Sequence, residues 1–375
     1  MPALDLSAGI AHDLARSLAH ALGEGQDVVV TTSGSTGTAK KVLLPARALL
    51  ASAHATLELL GGPGQWLAAL TPTHVGGLQV WVRSHVSGVE PVDLVGVTGQ
   101  PSSRFTATQF TAATAQMATD QRRYVSLVPT QIQRLLADPA GLQALTSFDR
   151  VLIGGAALAP ALAARLTQAQ VAWTHTYGMS ESCGGCVYDG IPLPVVTLTT
   201  DGRPGEPGRL MISGPVLAKG YLDLPDLSDE AFVTIAGTRW FRSSDLGIQD
   251  LATGRWRVLG RMDDVINTGG HKVHPDAVRD ALLALPAIDD AAVVAVPDVE
   301  WGQRVAAILI PRRGDPDMAA LMADPRGWVQ QLRPAMPGYA VPSLVHIADA
   351  LPRLPSGKVD GAGVRAAFTQ EDDRI

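Results

Sequence analysis

Residues 28–40 read Val-Val-Val-Thr-Thr-Ser-Gly-Ser-Thr-Gly-Thr-Ala-Lys, an apolar β-branched run followed by hydroxyl-bearing residues, glycines and a lysine. The apolar run predicts a buried strand at 28–30. The glycines allow the following loop to turn tightly and to direct several backbone N–H groups toward one point. With the hydroxyls and the charge of Lys40, this composition predicts a phosphate-binding loop, although it also fits a flexible loop without a ligand. Lys40 does not directly follow Gly37, so the loop departs from the Walker A pattern.

Short β-rich runs alternate with Ala- and Leu-rich runs around and after this loop. The pattern predicts strands at 66–70, 124–128, 150–153 and 171–174. It predicts helices at 10–22, 46–60, 76–86, 129–137 and 160–166. Strands that alternate with helices require crossover connections, so we expect an α/β fold with mostly parallel sheets flanked by helices.

The pattern changes after residue 191, where short β-rich segments punctuated by Gly, Pro and Asp predict a β-rich subdomain. These segments lie at 195–198, 208–213, 239–242 and 256–259. Further on, the sequence predicts helices at 275–284 and 318–332, strands at 291–296 and 305–310, and a Pro-rich tail. We therefore expect a large N-terminal domain over 1–260, a hinge at 261–264 and a small, mobile C-terminal α+β domain over 265–375.

Composition and charge exclude several classes of protein. The chain has 375 residues with a formal net charge of −6, and this modest acidic balance gives no reason to expect a nucleic-acid partner. It has only two cysteines, which excludes a disulfide-stapled scaffold and favours a reducing compartment. No apolar run approaches the ~18 residues of a membrane span, and the charged N-terminus does not resemble a signal peptide. We expect a cytoplasmic protein without a membrane span.

Tyr177-Gly178-Met179-Ser180-Glu181 forms a second candidate motif, expected in a loop after the strand at 171–174. Ligands of parallel α/β sheets bind at loops that follow strands. The motif offers an aromatic ring, a hydroxyl and a carboxylate, which suit a purine, a phosphate and Mg²⁺. Further polar stretches, each of which alone also fits a solvated turn, lie at 241–247, 260–264, 269–273 and 354–360.

In this order, the motifs resemble those of the adenylate-forming superfamily, which contains acyl-CoA synthetases, luciferases and peptide-synthetase adenylation domains. Residues 32–40 resemble its phosphate loop, with Ala39 where the family usually has Pro, and residues 154–156 resemble its adenine-side loop. The resemblance implies ATP and Mg²⁺ as cofactors and coenzyme A as cosubstrate. It implies a nucleotide site formed by Thr32, Ser33, Gly34, Gly37, Gly154, Gly155, Ala156, Tyr177, Gly178, Ser180, Asp245 and Arg261.

The resemblance also implies catalytic roles. Lys358 resembles the lysine that bridges the substrate carboxylate and the α-phosphate of ATP. Asp263 resembles the hinge residue, about which the C-terminal domain is expected to rotate so that Gly270 and Lys272 serve the second half-reaction. The catalytic residues implied are Lys358, Ser35, Thr36, Lys40 and Glu181, with Glu181 as the Mg²⁺ ligand.

Within the superfamily, the chain looks most like the short actinobacterial-type o-succinylbenzoate–CoA ligases of menaquinone biosynthesis. The stretches that carry this likeness are 71–77, Arg83-Ser84 and 126–131, together with the short segment before the phosphate loop. An aromatic dicarboxylate needs one carboxylate held while the other reacts, and Arg83 is the expected partner. The alternative is that Arg83 is a surface residue at a helix end. The expected substrate contacts are His74, Gly77, Arg83, Val128, Gly155, Ser182 and Gly184.

Other interpretations stay open at this point. The chain could be another aryl- or acyl-CoA ligase, an adenylating enzyme with a different acceptor, or a nucleotide-binding pseudoenzyme, and a homodimer is also open. Cys183-Gly184-Gly185-Cys186 has C-x-x-C spacing, but without two more ligands we expect these small residues to pack or to line a pocket. His271 and His274 have H-x-x-H spacing without a supporting acidic cluster, which makes metal binding the less favoured interpretation.

Overall fold

The computed structural model describes residues 3–7, 13–32, 40–95, 105–353 and 359–369 of the chain. The chain divides into two compact units. The first unit comprises Met1–Leu158, Ala164–Ser243 and Gln249–Arg257, and the second comprises Ala159–Ala163, Ser244–Ile248 and Val258–Ile375. No helix in the ranges described is long and apolar enough to cross a membrane. The hinge expected at 261–264 stays a prediction.

One sheet of the first unit has seven strands and confirms the predicted parallel sheet. In sheet order the strands are β10 (Ile191–Pro192), β9 (Gly184–Tyr188), β8 (Trp173–Met179), β7 (Arg150–Ile153), β6 (Arg123–Leu127), β4 (Gln65–Ala68) and β5 (Val92–Asp93). The strands from β8 to β5 are parallel, whereas β9 and β10 run antiparallel to their neighbours. Strands β6 and β7 are almost fully buried, as expected for apolar strands covered on both faces.

The helices of this part of the chain begin at residues that favour helix starts. Thr106 and Asp138 accept hydrogen bonds from backbone N–H groups of the first turn, and Pro129 occupies a first-turn position. The helices are α1 (Leu14–Gly23), α2 (Ala46–Leu59), α3 (Val75–Ser87), α4 (Ala107–Thr114), α5 (Pro129–Leu136), α6 (Pro139–Leu145), α7 (Pro160–Gln168) and α8 (Pro225–Ala231). The predicted helices at 46–60, 76–86, 129–137 and 160–166 are confirmed.

A second sheet of the first unit holds the strand predicted at 28–30. Its strands, in order, are β1 (Leu4–Asp5), β2 (Val28–Thr32), β3 (Lys40–Leu44) and β13 (Gly220–Tyr221). The three valines of β2 are buried, and Val28 and Val30 lie in a core that α1 shares through Leu18 and Leu22. Because β2 and β3 pair antiparallel, Thr32 lies opposite Lys40.

A third sheet confirms the β-rich subdomain. Its strands are β11 (Thr197–Thr200), β12 (Gly208–Ser213), β14 (Phe232–Ile235), β15 (Thr238–Gln249) and β16 (Trp256–Arg261). The short strand predicted at 239–242 is wrong in its length, because β15 continues through Asp245. β14 pairs only with Thr238–Phe241, and β16 supplies further pairing to the same strand.

The second unit contains an α+β arrangement, as expected. Its sheet has the order β18 (His271–Val273), β17 (Ile266–Thr268), β20 (Gly302–Pro311) and β19 (Ile288–Asp298), with β21 (Leu344–Ile347) parallel to β20. The helices are α9 (Pro275–Leu283), α10 (Met318–Ala323), α11 (Pro325–Val329) and α12 (Gly361–Thr369). The core of this unit includes Val278, Leu282, Val305, Leu309 and Val329.

One expectation for the second unit is wrong. The single helix predicted at 318–332 is divided into α10 and α11, and Asp324 ends the first and caps the second. Pro325 causes the break, because proline lacks an N–H group and disfavours helical geometry in the residue before it. The Pro-rich tail also contains β21 and α12, which the sequence analysis did not predict.

Candidate active site

Thr32 and Lys40 form the described base of the expected phosphate loop. They are partners in the β2–β3 register, and the Lys40 backbone N–H donates a hydrogen bond to the Thr32 hydroxyl at 3.3 Å. Six predicted site residues lie outside the described residues. They are Ser33, Gly34, Ser35, Thr36 and Gly37 of this loop and the predicted catalytic Lys358. Their roles stay predictions.

Parallel strands bring further predicted residues to one edge of the seven-stranded sheet. His74 follows β4, Val128 follows β6, residues 154–156 follow β7, and Tyr177 lies near the end of β8. The carboxyl ends of parallel strands share one edge, which is the usual position of a ligand site. Val128 and Gly155 are close neighbours there, since a Cβ at Gly155 would lie 3.3 Å from Val128 Cγ1.

The expectation that Tyr177 and Gly178 lie in a loop after the strand is wrong. β8 continues to Met179 because Tyr177 pairs with Val187 of the antiparallel strand β9. A Cβ at Gly178 would lie 2.0 Å from the carbonyl oxygen of Gly184. The glycine is therefore needed for the close approach of the two strands.

Glu181 lies in a single 3₁₀ turn, Ser180–Ser182, directly after β8. Its Oε1 atom accepts a hydrogen bond from the Tyr221 hydroxyl at 2.8 Å, and its backbone carbonyl accepts one from Ala218 N–H at 2.8 Å. The Lys40 ammonium lies 5.3 Å from the centre of the Tyr221 ring. The structure thus brings Lys40 and Glu181 to one tyrosine. Sequence analysis missed Tyr221, because its stretch carries no spacing that marks a site.

Ser182 and Gly184, two predicted substrate contacts, are buried in the turn after β8. The Ser182 hydroxyl accepts from Met179 N–H at 3.1 Å and donates to the carbonyl oxygen of Gly184 at 2.9 Å. Gly184 has φ +105°, and a Cβ there would lie 3.0 Å from Gln79 Cγ. These contacts hold the turn that carries Glu181, and the role of both residues in binding the acid stays a prediction.

Both cysteines are buried and unbridged. Cys183 has φ +50°, and its carbonyl oxygen accepts a hydrogen bond from Gln79 Nε2 at 2.7 Å. Burial raises the pKa of the Cys183 thiol, so the thiol stays protonated at neutral pH. Among the residues that the structure describes, no group of His, Cys, Asp and Glu is arranged to hold a metal ion.

Arg83 is buried within α3, so the alternative of a surface residue at a helix end is wrong. Only 3% of its surface is exposed. Its Nη2 atom donates to the Tyr188 hydroxyl at 3.4 Å, and its guanidinium carbon lies 5.0 Å from the centre of the Trp66 ring. Its Nε atom has no hydrogen-bond partner within the described part of the chain. Burial lowers the pKa of the Arg83 guanidinium, and the nearby Tyr188 hydroxyl partly opposes this shift.

Two predicted glycines are explained by close packing. Gly77 lies in the first turn of α3, where a Cβ would lie 2.0 Å from the carbonyl oxygen of Thr71. A Cβ at Gly154 would lie 2.4 Å from Oγ1 of Thr176 on the neighbouring strand β8. Both positions exclude a side chain, and contact with acid or nucleotide stays a prediction for each.

Asp245, Arg261 and Asp263 belong to the second unit. Asp245 lies in β15, and Arg261 ends the paired strand β16. The Arg261 Nη2 atom donates to Asp263 at 2.9 Å, and its Nε atom lies 3.9 Å from Asp264 Oδ2. Asp263 lies in the 3₁₀ turn that follows β16, so the arginine expected in the nucleotide site and the expected hinge residue are in direct contact.

Asp276 is a partly buried carboxyl group that sequence analysis missed. It lies in the first turn of α9, and a Cβ at Gly260 would lie 2.8 Å from its Oδ2 atom. Burial raises the pKa of the Asp276 carboxyl and three neighbouring carboxylates raise it further, while Arg279 lowers it. No sequence pattern marks this residue, because acidic residues are common in the first turn of any helix.

The stretch expected to serve the second half-reaction is a tight β-hairpin. Gly269 and Gly270 form the two-residue turn between β17 and β18, with φ of +56° and +82°. Two successive positive φ values characterise a type I′ turn, which glycines favour. Lys272 is exposed on β18. His271 stacks on the ring of Tyr339, with 4.1 Å between the ring centres.

Comparisons with known proteins confirm the expected superfamily. Residues 24–222 match the family described as AMP-binding enzyme, and residues 278–358 match the AMP-binding enzyme C-terminal domain. A probable 2-succinylbenzoate–CoA ligase from Mycobacterium tuberculosis H37Rv is 40% identical over 350 residues, which cover 92% of this chain and 86% of that protein. A sulfoacetate–CoA ligase from Cupriavidus necator H16 is 32% identical and covers 93% of this chain and 68% of that protein.

Solved structures show the same fold. The o-succinylbenzoate CoA synthetase from Bacillus subtilis, in complex with its acyl-adenylate intermediate, superimposes with a TM-score of 0.73 at 24% identity. The match covers 89% of this chain and 68% of that one. The protein belongs to the AMP-binding enzyme family, because the family model matches residues 24–222 and a relative is similar along nearly the whole chain.

Proposed function

We propose that the protein is an ATP-dependent 2-succinylbenzoate–CoA ligase, which works through an acyl-adenylate and releases AMP and pyrophosphate. The observation that carries this proposal is the 40% identity to the Mycobacterium tuberculosis relative over 92% of the chain. The position of Glu181 directly after a parallel strand, with Lys40 and Tyr221 beside it, supports the same activity.

The reaction needs two steps because a carboxylate is a poor electrophile. In the first step, a carboxylate oxygen of the acid attacks the α-phosphorus of ATP, and pyrophosphate leaves with the electrons of the broken P–O bond. In the second step, the thiolate of CoA attacks the acyl carbonyl carbon, and AMP leaves. The first step brings several anions together, so catalysis depends on positioning and on neutralised charge.

Residues of the first unit bind the nucleotide in this proposal. The loop over 32–40 and Ser180 contact the phosphates, while Tyr177 and the stretch 154–156 face the adenine. Glu181 holds Mg²⁺, which neutralises phosphate charge when bound. The Glu181 carboxylate suits this role because Mg²⁺ prefers oxygen ligands and is commonly held in nucleotide sites by one or two carboxylates together with the phosphates.

Residues of the second unit complete the proposed machinery. Asp245 accepts hydrogen bonds from the ribose hydroxyls, and Arg261 supports the same part of the nucleotide. Lys358 bridges the substrate carboxylate and the α-phosphate during adenylation. A rotation about Asp263 then replaces Lys358 by the hairpin that carries Gly270 and Lys272 for the second step.

Arg83 holds the second carboxylate of the acid in this proposal. An unpaired buried charge is costly, so a guanidinium without a described carboxylate partner is suited to an anionic ligand. His74 precedes Arg83 by nine residues, on the order of 13 Å along the axis of α3 at 1.5 Å per residue. His74, Val128 and Gly155 contact the rest of the acid in this proposal, from the edge of the sheet that follows β4, β6 and β7.

The proposal extends to the setting of the enzyme. Two buried cysteines without a disulfide support a reducing compartment such as the cytoplasm. The partner is a small aromatic dicarboxylate rather than a nucleic acid, and the modest net charge of −6 supports this. A homodimer stays an open expectation, which the elution volume on size-exclusion chromatography would decide.

The experiment that tests the proposal compares two lysine variants in two assays. Lys358→Ala should reduce ATP–pyrophosphate exchange with 2-succinylbenzoate by about a hundred- to a thousand-fold, the usual effect of losing one charged contact in a catalytic site. Lys272→Ala should leave exchange near the wild-type rate and slow thioester formation. Exchange that survives in Lys358→Ala contradicts the assignment of this lysine, and an absence of both AMP and thioester in the wild-type protein contradicts the activity.

A second candidate is a ligase for a different acid. The relative from Cupriavidus necator, named a sulfoacetate–CoA ligase, covers 93% of this chain at 32% identity and favours this alternative. ATP-dependent AMP release across aromatic dicarboxylates, aromatic monocarboxylates and short sulfonated acids separates the two. A preference for the sulfonated acids over 2-succinylbenzoate would establish the alternative.

A further inference from the structure

Tyr221 connects the two charged residues that the structure brings together in the first unit. Its hydroxyl donates a hydrogen bond to Oε1 of Glu181 at 2.8 Å, and the Lys40 ammonium lies 5.3 Å from the centre of its ring. We propose that Tyr221 is a positioning residue, which orients the Glu181 carboxylate for the metal-bound nucleotide. This role rests on the proposed function of Glu181.

The hydrogen bond restricts the carboxylate in the way that metal binding requires. A bond to one carboxylate oxygen limits rotation about the last side-chain bond of Glu181 and so determines where the other oxygen lies. Hydrogen bonds to a charged group are shorter and stronger than neutral ones. A carboxylate that is already oriented loses less conformational entropy when a cation binds.

The tyrosine itself is held from several sides. Tyr221 pairs with Val42 in the β13–β3 register, and its backbone N–H donates to the Ser228 hydroxyl at 2.8 Å. Its ring lies 6.1 Å from the ring of Phe232, which in turn lies 5.0 Å from the ring of Phe241 in the core. The hydroxyl therefore projects from a fixed ring.

The short segment 218–221 forms hydrogen bonds with both the backbone and the side chain of Glu181. The Ala218 N–H group donates to the Glu181 carbonyl oxygen at 2.8 Å, and Tyr221 follows three residues later with its bond to the carboxylate. Between them, the Lys219 N–H group donates to the Leu43 carbonyl oxygen on the strand that begins at Lys40. The positions of Lys40 and Glu181 are thus set against the same segment.

The ring of Tyr221 and its hydroxyl make different contacts, so a phenylalanine substitution tests the hydroxyl separately from the ring. Tyr221→Phe keeps the aromatic packing and the ring face that the Lys40 ammonium contacts, and it removes the hydroxyl that donates to Glu181. We expect the concentration of free Mg²⁺ needed for half-maximal pyrophosphate exchange to rise about tenfold or more. We expect kcat at saturating Mg²⁺ and ATP to fall by a smaller factor, because excess cation recovers the oriented complex.

A binding measurement gives a second readout that does not depend on turnover. The dissociation constant of α,β-methylene-ATP is measured by calorimetry with and without saturating Mg²⁺. In wild type, Mg²⁺ tightens binding by a certain factor, and in Tyr221→Phe this factor should shrink about tenfold while affinity without the metal stays unchanged. A purely structural role would weaken binding equally in both conditions.

Tyr124→Phe is the matched control. It also removes a phenol hydroxyl from the first unit, one that donates to the Leu60 carbonyl oxygen at 3.1 Å. We expect this control to lower the melting temperature without changing the Mg²⁺ dependence. If both variants shift the Mg²⁺ dependence equally, or if Tyr221→Phe leaves it unchanged, the positioning role is overturned.

Glu181→Gln separates a failure of the positioning role from a failure of the proposed function. If Glu181→Gln has wild-type Mg²⁺ dependence, Glu181 is not the metal ligand and the proposed machinery itself is contradicted. If Glu181→Gln loses the dependence and Tyr221→Phe does not, only the positioning role fails. In the double variant, Tyr221→Phe should add no further change, because the tyrosine acts through the carboxylate.

Discussion

The guanidinium carbon of Arg83 lies 5.0 Å from the centre of the Trp66 ring, inside the first unit. A cation on the face of a tryptophan gains attraction from the ring, up to about 2 kcal/mol when the pair is shielded from water. This attraction is far smaller than the cost of removing a guanidinium from water. Because a guanidinium keeps its proton in proteins, the pair carries a positive charge that an anion can neutralise.

The first prediction concerns Arg83→Met, which preserves much of the side-chain length without the charge. We expect KM for 2-succinylbenzoate to rise about thirtyfold or more, since losing one partner of a buried charge pair costs at least about 2 kcal/mol. We expect the melting temperature to stay the same or to rise, because an apolar side chain avoids the cost of a buried charge. Initial rates and thermal unfolding measure the two effects.

The methyl ester of the non-reacting carboxylate is the control substrate for Arg83. If the arginine holds that carboxylate, wild type should use the ester poorly, and Arg83→Met should use the acid and the ester with similar KM. An Arg83→Met enzyme that still prefers the acid by the wild-type factor would show that another group holds it.

The second prediction compares two adjacent glycines of α3. Gly77→Ala should destabilise the protein by about 1–3 kcal/mol, because the new Cβ would lie 2.0 Å from the Thr71 carbonyl oxygen. Gly76→Ala should stabilise it by up to about 1 kcal/mol, since its Cβ meets only a Leu70 methyl group at 3.6 Å and alanine favours the helix. Chemical denaturation of both variants measures the difference, and effects of the same sign would contradict the packing described here.

The third prediction concerns the pH dependence of stability through Asp276. Burial raises the pKa of this carboxyl in the folded state, so the folded protein binds the proton more tightly than the unfolded chain does. Ionisation of Asp276 therefore lowers the free energy of unfolding. The full loss applies at a pH above the folded-state pKa, and no loss applies at a pH far below the unfolded-state pKa of about 3.9. Asp276→Asn should raise the melting temperature by a few °C at pH 7.5, and the gain should shrink as the pH falls toward 4.

Asp290→Asn is the control for Asp276. The Asp290 carboxylate accepts hydrogen bonds from Arg279 at 3.0 Å and from Arg353 at 2.6 Å, so its loss should lower the melting temperature at pH 7.5. Thermal unfolding of both variants between pH 4 and 8 makes the comparison. A loss of stability in Asp276→Asn at neutral pH would contradict the predicted sign.

The fourth prediction concerns thiol reactivity. Cys183 and Cys186 are buried, and burial raises the pKa of the Cys183 thiol. The native protein should therefore show no fast reaction with Ellman's reagent at pH 8, and both thiols should react once guanidinium chloride unfolds the chain. Thr253→Cys introduces an exposed thiol as a positive control and should add one fast equivalent. A fast equivalent in the native wild type would contradict the burial of the pair.

Local pattern was sufficient to predict the main sheet but not the ends of its strands. The buried runs at 124–127 and 150–153 have the apolar character of central parallel strands, and both are confirmed. β8 was predicted to end before Tyr177, because pairing with Val187 depends on a chain reversal that no local signal marks. The helix predicted at 318–332 is wrong because the apolar pattern continues across Pro325, where the chain breaks into two helices.

The candidate site also combines residues that the sequence predicts with residues that only the fold brings together. Motif spacing predicted Lys40 and Glu181, whose residue types carry the chemistry. Tyr221 is 40 residues from its partner Glu181, and only the fold brings the two together. The surroundings of Arg83 were also beyond sequence analysis, since Trp66 and Tyr188 belong to separate strands of the sheet.

The contact between Gly77 and the Thr71 carbonyl has a consequence for altering which acid the enzyme accepts. The main chain over 71–77 is held by backbone atoms, because His74 N–H also donates to that carbonyl oxygen at 3.3 Å. Exchange of the side chains at 73 and 74 removes the hydrogen bond between the Thr71 and Thr73 hydroxyls at 3.0 Å but leaves these backbone contacts in place. Because the proposed function assigns His74 to the acid, a combinatorial library that randomises these two positions and retains Gly77 would test for altered acid specificity.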